Sequence, residues 1–221
     1  MKVGTDGVLL GITANTENVK KILDVGTGCG LIALMLAQKC SAEIHTIDID
    51  HDSCKQAHEN FLLSPWKNRM HIIEDDFIDF SENTSQTYDL IVSNPPFFET
   101  GDRKPQLQKS RARHCDWLNF DNLCKGASSL LNPHGKFLVI LPENRILDFL
   151  VKADFHDLHL KTALLIHPVI HKVPNRFIFE FVCAHPQSQV YFSRLFVRKQ
   201  DGLYTKEFKD YVKEYYLDFA Y

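Results

Sequence analysis

Ile22-Leu23-Asp24-Val25-Gly26-Thr27-Gly28-Cys29-Gly30-Leu31-Ile32-Ala33 is an apolar run, a glycine-rich turn and a run of small and apolar residues. That order predicts a strand, a tight turn and a helix, the first unit of a doubly wound sheet. Its glycines let a ligand approach the backbone at the helix N-terminus. The spacing bears on which ligand. A dinucleotide fingerprint needs its third glycine three residues after the second, whereas here the glycine falls at position 30 and position 31 is Leu. Asp24 stands just before the turn, where a carboxylate repels a pyrophosphate and favours an ammonium group. S-adenosylmethionine carries an ammonium group and no phosphate, so charge selects it over NAD as the expected cofactor, held at Asp24, Gly26, Gly28 and Gly30.

Working outward, Glu43-Ile44-His45-Thr46-Ile47-Asp48-Ile49-Asp50 reads as a second strand that brings Asp48 to the crevice to accept the ribose hydroxyls, with Asp50 the less favoured partner. A third strand over 70–73 ends in Glu74-Asp75-Asp76-Phe77, where Asp76 can accept the adenine amine and Phe77 can pack on the ring. Taken singly, each acid reads as well as a helix cap or a solvent group; their order after successive strands carries the inference. A fourth apolar strand, Tyr88-Asp89-Leu90-Ile91-Val92, ends in Ser93-Asn94-Pro95-Pro96-Phe97-Phe98. The prolines fix φ and remove N–H donors, leaving carbonyls to face outward. The Asn94 side-chain oxygen and the Pro95 carbonyl can accept both protons of a planar amine while Phe97 stacks on the ring that carries it. The plainer reading is a strand-to-loop stop signal.

The remaining pattern continues the alternation: helices over 31–39, 53–63, 120–131 and 145–153, a turn at Asn132-Pro133-His134-Gly135, a fifth strand over 136–141, then extended segments over 159–166 and 176–184. The expected fold is α/β, a doubly wound and mostly parallel seven-stranded sheet of the Rossmann-like methyltransferase type with an antiparallel hairpin at one edge. A further candidate strand over 190–197 and an amphipathic helix over 205–216 follow. No linker or repeat divides the 221 residues, so one domain, 1–221, is expected. No apolar run approaches the roughly 20 residues needed to span a bilayer, and a cytoplasmic protein is expected. The six cysteines form no Cys-x-x-Cys pair, and the 11 histidines no His-Glu-x-x-His motif, so no metal site is expected.

Between Arg103 and His114 lie Arg103, Lys104, Lys109, Arg111 and Arg113 with no acid, although the chain as a whole has a formal charge of −3. Beside a pocket for a flat ring bearing an amine, such a run can track phosphates, and Lys172 and Arg176 can extend it, which makes RNA or DNA the expected partner. A solvated basic loop and a hairpin flank are the plainer readings.

The set Gly4-Thr5-Asp6-Gly7-Val8-Leu9-Leu10-Gly11, the glycine turn, Asn94-Pro95-Pro96-Phe97-Phe98, Ala112-Arg113-His114, the segment 172–181 and Tyr204-Thr205-Lys206-Glu207-Phe208 resembles the bacterial tRNA1(Val) adenine-37 N6-methyltransferases over nearly the whole chain. The glycine turn and Asn-Pro-Pro-Phe are shared by many methyltransferases; the Gly-Thr-Asp and Ala-Arg-His segments narrow the resemblance. It implies that Thr5 and Asp6 contact the methionine end of the cofactor and that the substrate is a tRNA. It also implies a strand-rich cover upstream of Met1, which the domain is expected to lack. A monomer is the favoured state. Three other readings stay open: a guanine amino-methyltransferase of ribosomal RNA, a protein-glutamine methyltransferase, and a non-catalytic RNA-binding relic of the fold.

Overall fold

A computed structural model describes residues 4–96, 119–185 and 189–215. The strands are β1 (Lys21–Val25), β2 (Glu43–Asp48), β3 (Met70–Glu74), β4 (Tyr88–Ser93), β5 (Leu131–Pro142), β6 (His159–Val169), β7 (Arg176–Val182) and β8 (Tyr191–Arg198). They form one sheet in the order β3-β2-β1-β4-β5-β7-β6-β8. The pairs from β3 to β5 are all parallel, and β7 runs antiparallel to both β5 and β6.

The central strands read as unbroken apolar runs because both faces of the sheet are covered. Along β4, Leu90 and Val92 face one core while Ile91 faces the other. On the first face lie helices α1 (Thr5–Thr13), α2 (Leu31–Lys39), α3 (His51–Leu63) and the late helix over Lys206–Val212, which bury Leu10, Leu36, Phe61 and Phe208. On the second lie α4 (Phe77–Asn83), α5 (Phe120–Leu130) and α6 (Ile146–Phe155), which bury Phe77, Leu123 and Phe149 with Phe137 of β5. The late helix is α7. Side-chain caps start four of these helices: Asp50, Asp76, Asn119 and Thr205 accept from backbone amides of the first turn.

The expected α/β class holds, with three local differences. Among the described residues the sheet has eight strands rather than seven: β8 pairs parallel with β6, so the antiparallel β6–β7 hairpin lies one strand inside the edge. Only Leu195 of β8 is fully buried, which left its alternation faint in the sequence. The Asn132–Gly135 stretch is not a free turn but the irregular start of β5. Tyr88 pairs with Leu131, and the register shifts before Leu90 meets Lys136, so the extra residues bulge from the strand. Asn132 Nδ2 donates to Asp89 Oδ1 at 2.6 Å and fastens the bulge. Third, α1 and α4, which local periodicity did not announce, are held by tertiary contacts. Lys39 Nζ donates to the carbonyls of Gly11, Ile12 and Ala14 and closes the end of α1, while the Phe77 ring of α4 lies against Gly126 of α5, where a Cβ would come within 2.5 Å of it.

Candidate active site

The order β3-β2-β1-β4-β5 reverses direction between β1 and β4, and a crevice opens there at the carboxyl ends of the strands. Val25 pairs with Ser93, so the glycine turn after β1 and the Asn-Pro-Pro turn after β4 leave the sheet side by side. The Ser93 hydroxyl donates to the Val25 carbonyl at 2.9 Å and ties the two exits together.

Gly26, Gly28 and Gly30 all have positive φ, at 72°, 58° and 80°, a conformation closed to most side chains. The turn is strapped to β2, with Gly26 and Thr27 amides donating to the Ile47 carbonyl and the Gly28 amide to Asp48 Oδ2 at 2.9 Å. From α3, Asn60 Nδ2 donates to the Cys29 carbonyl at 2.8 Å. The turn is therefore set before any ligand arrives.

Asp24 is fully buried, and Thr27 Oγ1 donates to its Oδ2 at 2.7 Å. Among the described residues its Oδ1 has no partner in hydrogen-bond geometry. Burial pushes the carboxyl up to about 7; the Thr27 hydroxyl pulls the other way and the nearby charge of Asp48 adds to the rise. Just past the adjacent strand β4, Asn94 Oδ1 is likewise buried, with no hydrogen-bond partner among the described residues. Buried polar atoms are nearly always satisfied, so two orphaned acceptors at the same end of neighbouring strands point to a donor-bearing ligand. The chemistry fits S-adenosylmethionine: the orphaned carboxylate suits its ammonium, and the glycine turn admits a ligand to the backbone.

Asp48 is half-buried, and burial raises its pKa against the pull of the Asp50 and Gly28 amides. Its Oδ1 accepts from the Asp50 amide and its Oδ2 from the Gly28 amide, and the Ile49 amide also pulls on the carboxylate. Asp50 caps α3, accepting from the amide and hydroxyl of Ser53 through Oδ2. Asp76 caps α4 through Oδ1, accepting from Ile78 and Asp79.

Phe77 is corrected. It is 6% exposed with its ring turned against α5, so it packs the core rather than facing a cofactor ring. Thr5 is exposed at the start of α1. Asp6 and Arg176, expected in separate roles, meet: Arg176 Nε donates to Asp6 Oδ2 at 2.8 Å, and its Nη1 to the Asn175 carbonyl. Arg176 thus clasps α1 to the start of β7 instead of reaching outward, a pairing across 170 positions that no local signal carries. Lys172 lies exposed in the β6–β7 turn, at the same end of the sheet as the crevice. Phe97, Arg103, Lys104, Lys109, Arg111 and Arg113 lie outside the described residues. Thr27, Ser93 and Asn60 went unread; the first two were hinted at by small polar residues next to buried strand ends, the third by nothing local. Among the described residues no helix is long and apolar enough to cross a membrane.

The methyltransferase small domain family matches residues 3–163. A Phocaeicola vulgatus protein named tRNA1(Val) (adenine(37)-N6)-methyltransferase is 40% identical over 99% of this chain and 92% of its own length. The chain belongs to that methyltransferase family. Solved structures agree on the fold of this methyltransferase. A predicted O-methyltransferase from Agrobacterium tumefaciens superposes with a TM-score of 0.71 at 15% identity, covering 94% of this chain and 95% of its own. A glycopeptide N-methyltransferase complexed with S-adenosyl-L-methionine gives 0.59 at 10% identity, covering 81% and 93%.

Proposed function

We propose that the chain methylates N6 of adenine 37 in tRNA1(Val), the reaction for which its relatives are named. It is an S-adenosylmethionine-dependent methyltransferase. The observation that carries the assignment of roles is the pair of orphaned buried oxygens, Asp24 Oδ1 and Asn94 Oδ1, at the ends of β1 and β4. Asp24 receives the ammonium of the cofactor, Asp48 the ribose hydroxyls, and the Gly26–Gly30 turn the closest backbone approach. Bound S-adenosylmethionine supplies an electrophilic methyl group.

The exocyclic amine of adenine is a poor nucleophile because its lone pair is delocalised into the ring. Asn94 Oδ1 and the Pro95 carbonyl each accept one of its hydrogens, draw the nitrogen toward tetrahedral geometry and localise that lone pair. No side chain need remove a proton beforehand; the methylated nitrogen is acidic and loses its proton to water. Orientation and preorganised charge supply the acceleration. The base leaves its stack to reach these acceptors, and Phe97 replaces part of the lost stacking. Arg103, Lys104, Lys109, Arg111 and Arg113, with Lys172, neutralise tRNA phosphates. Thr5 adds a contact to the methionine end of the cofactor. A tRNA substrate makes the cytoplasm the place of action.

The test is digestion of unmodified tRNA after incubation with the chain and S-adenosylmethionine, followed by nucleoside mass spectrometry. N6-methyladenosine at position 37 is expected. Methylated guanosine, methylated glutamine in a protein substrate, or cofactor binding without transfer would each select one of the other readings.

A further inference from the structure

The end of the sheet opposite the crevice carries a second constellation. Glu43 and His45 are two positions apart on β2 and so share a face, and the parallel register sets His71 of β3 beside His45. Glu43 Oε1 lies 3.3 Å from His45 Nε2 and 3.2 Å from His71 Nε2, and the three ligand atoms lie within 4.8 Å of one another. Tetrahedral zinc with bonds of 2.0–2.1 Å separates neighbouring ligand atoms by about 3.3 Å, which is the spacing of both contacts to Glu43.

The surroundings prepare these atoms. His45 Nδ1 lies 2.9 Å from the hydroxyl of Tyr88, which is fully buried at the start of β4. With Nδ1 donating to the Tyr88 oxygen, the Nε2 lone pair is left pointing at Glu43, the tautomer that a hydrogen-bond partner on the far ring nitrogen sets in metal-bound histidines. A proton on either imidazole satisfies one contact to Glu43 Oε1; a cation among the three atoms satisfies all of them. The other oxygen, Oε2, lies 3.8 Å from Lys21 Nζ, so the lysine neutralises the far side of the carboxylate and leaves Oε1 for the centre. The side chains of Glu43 and His71 are about half exposed, at 47% and 48%, while His45 is at 14%, which gives an ion a solvent entry and one fixed inner ligand.

We propose that Glu43, His45 and His71 bind a zinc-class divalent metal ion that clamps the edge strand β3 to β2, with water in the open fourth position. Nitrogen and carboxylate donors at this spacing suit zinc over magnesium or calcium, which take oxygen ligands. Glu43 is five residues from Asp48 along β2, roughly 16 Å, so the ion takes no part in methyl transfer. Its role is to hold a strand that, among the described residues, has a sheet neighbour on one side only.

The experiment uses the whole chain, stripped with EDTA and dialysed, titrated with zinc chloride against a chromogenic competitor, with melting followed in parallel. One equivalent is expected to bind and raise the melting temperature. Glu43→Gln and His71→Asn, on half-exposed side chains, should each weaken binding at least 100-fold and remove the thermal shift while leaving methyl transfer at the wild-type rate. Tyr88→Phe, which keeps the ring and removes the hydroxyl, should weaken zinc binding about 10- to 100-fold. Absence of one-equivalent binding, or binding that survives both Glu43→Gln and His71→Asn unchanged, overturns the site and leaves the cluster as an ordinary ion-pair network.

Discussion

Asp24 and Asp89 sit on the neighbouring strands β1 and β4, yet the fold treats them in opposite ways. Asp89, at the amino end, accepts from the Lys20 and Lys21 amides and from Asn132, and these outweigh burial to hold its carboxyl below the usual range. Asp24, nearer the carboxyl end, is fully buried with one oxygen unpartnered and its carboxyl pushed up to about 7. An acid that only builds the fold has its lone pairs met within the chain; the acid at the crevice is left short. The contrast marks which buried charge costs stability and for what purpose.

The strongest way to break that contrast is at the second orphaned acceptor. Asn94→Ala should lower turnover on tRNA by about 10²- to 10³-fold, by analogy with loss of one preorganised transition-state hydrogen bond, while cofactor affinity by calorimetry stays within a few-fold. Equal loss of both would make Asn94 a cofactor contact alone.

Asp24→Asn should weaken cofactor binding strongly and yet stabilise the ligand-free chain at pH 7 and above. The sign follows from the raised pKa: folded Asp24 holds a proton that the unfolded chain releases near 3.8, so its contribution to stability is present below about 4 and is lost as pH rises through about 7. Cofactor binding runs the other way, because the ammonium needs the carboxylate. Wild-type affinity should fall about tenfold per pH unit below 7 and level off above it, and Asp24→Asn should flatten both profiles. A wild-type profile already flat between pH 5 and 8 would remove Asp24 from the cofactor site.

Asp48→Ala deletes a charged acceptor worth roughly 1.5 to 3 kcal/mol, so affinity for S-adenosylmethionine should drop about ten- to a hundredfold. Unchanged affinity would move the ribose contact elsewhere. The smallest effect on the site is expected at Asp89→Ala. It should cost about 1 to 3 kcal/mol in a denaturant melt, through the amides and Asn132 left behind, with cofactor affinity unaltered. Wild-type Asp89, with its depressed pKa, contributes stability above about pH 4 and loses it as pH falls further.

How far the sequence spoke depended on whether the cause was local. The glycine turn and the strands around it were legible because positive φ calls for glycine and strands covered on both faces call for continuous apolar runs. Asp50 and Asp76 were ambiguous because a helix cap and a ligand acceptor use the same carboxylate after a strand; each caps its helix through one carboxylate oxygen. Phe77 misled because an aromatic ring at a strand exit does not say which way it faces. Asn132-Pro133-His134-Gly135 carries the same punctuation as a turn whether it ends a hairpin or bulges from a strand. The Asp6–Arg176 clasp and the Glu43, His45 and His71 cluster were out of reach, because each is created by register or packing between segments that the sequence keeps apart.

Two glycines described above differ in how a lineage could replace them. At Gly126 the obstacle is the Phe77 ring alone, with no unusual torsion, so a smaller residue at 77 could open room for alanine, and the two positions are free to drift as a pair. At Gly30 a Cβ would meet Phe61 at 2.4 Å, and the backbone also sits at φ +80°. Shrinking Phe61 would remove the collision and leave the torsional cost untouched. Position 30 is therefore an evolutionary dead end for compensation, whereas position 126 is a negotiable one, and a reversion screen started from Gly30→Ala should return glycine itself rather than a second-site suppressor.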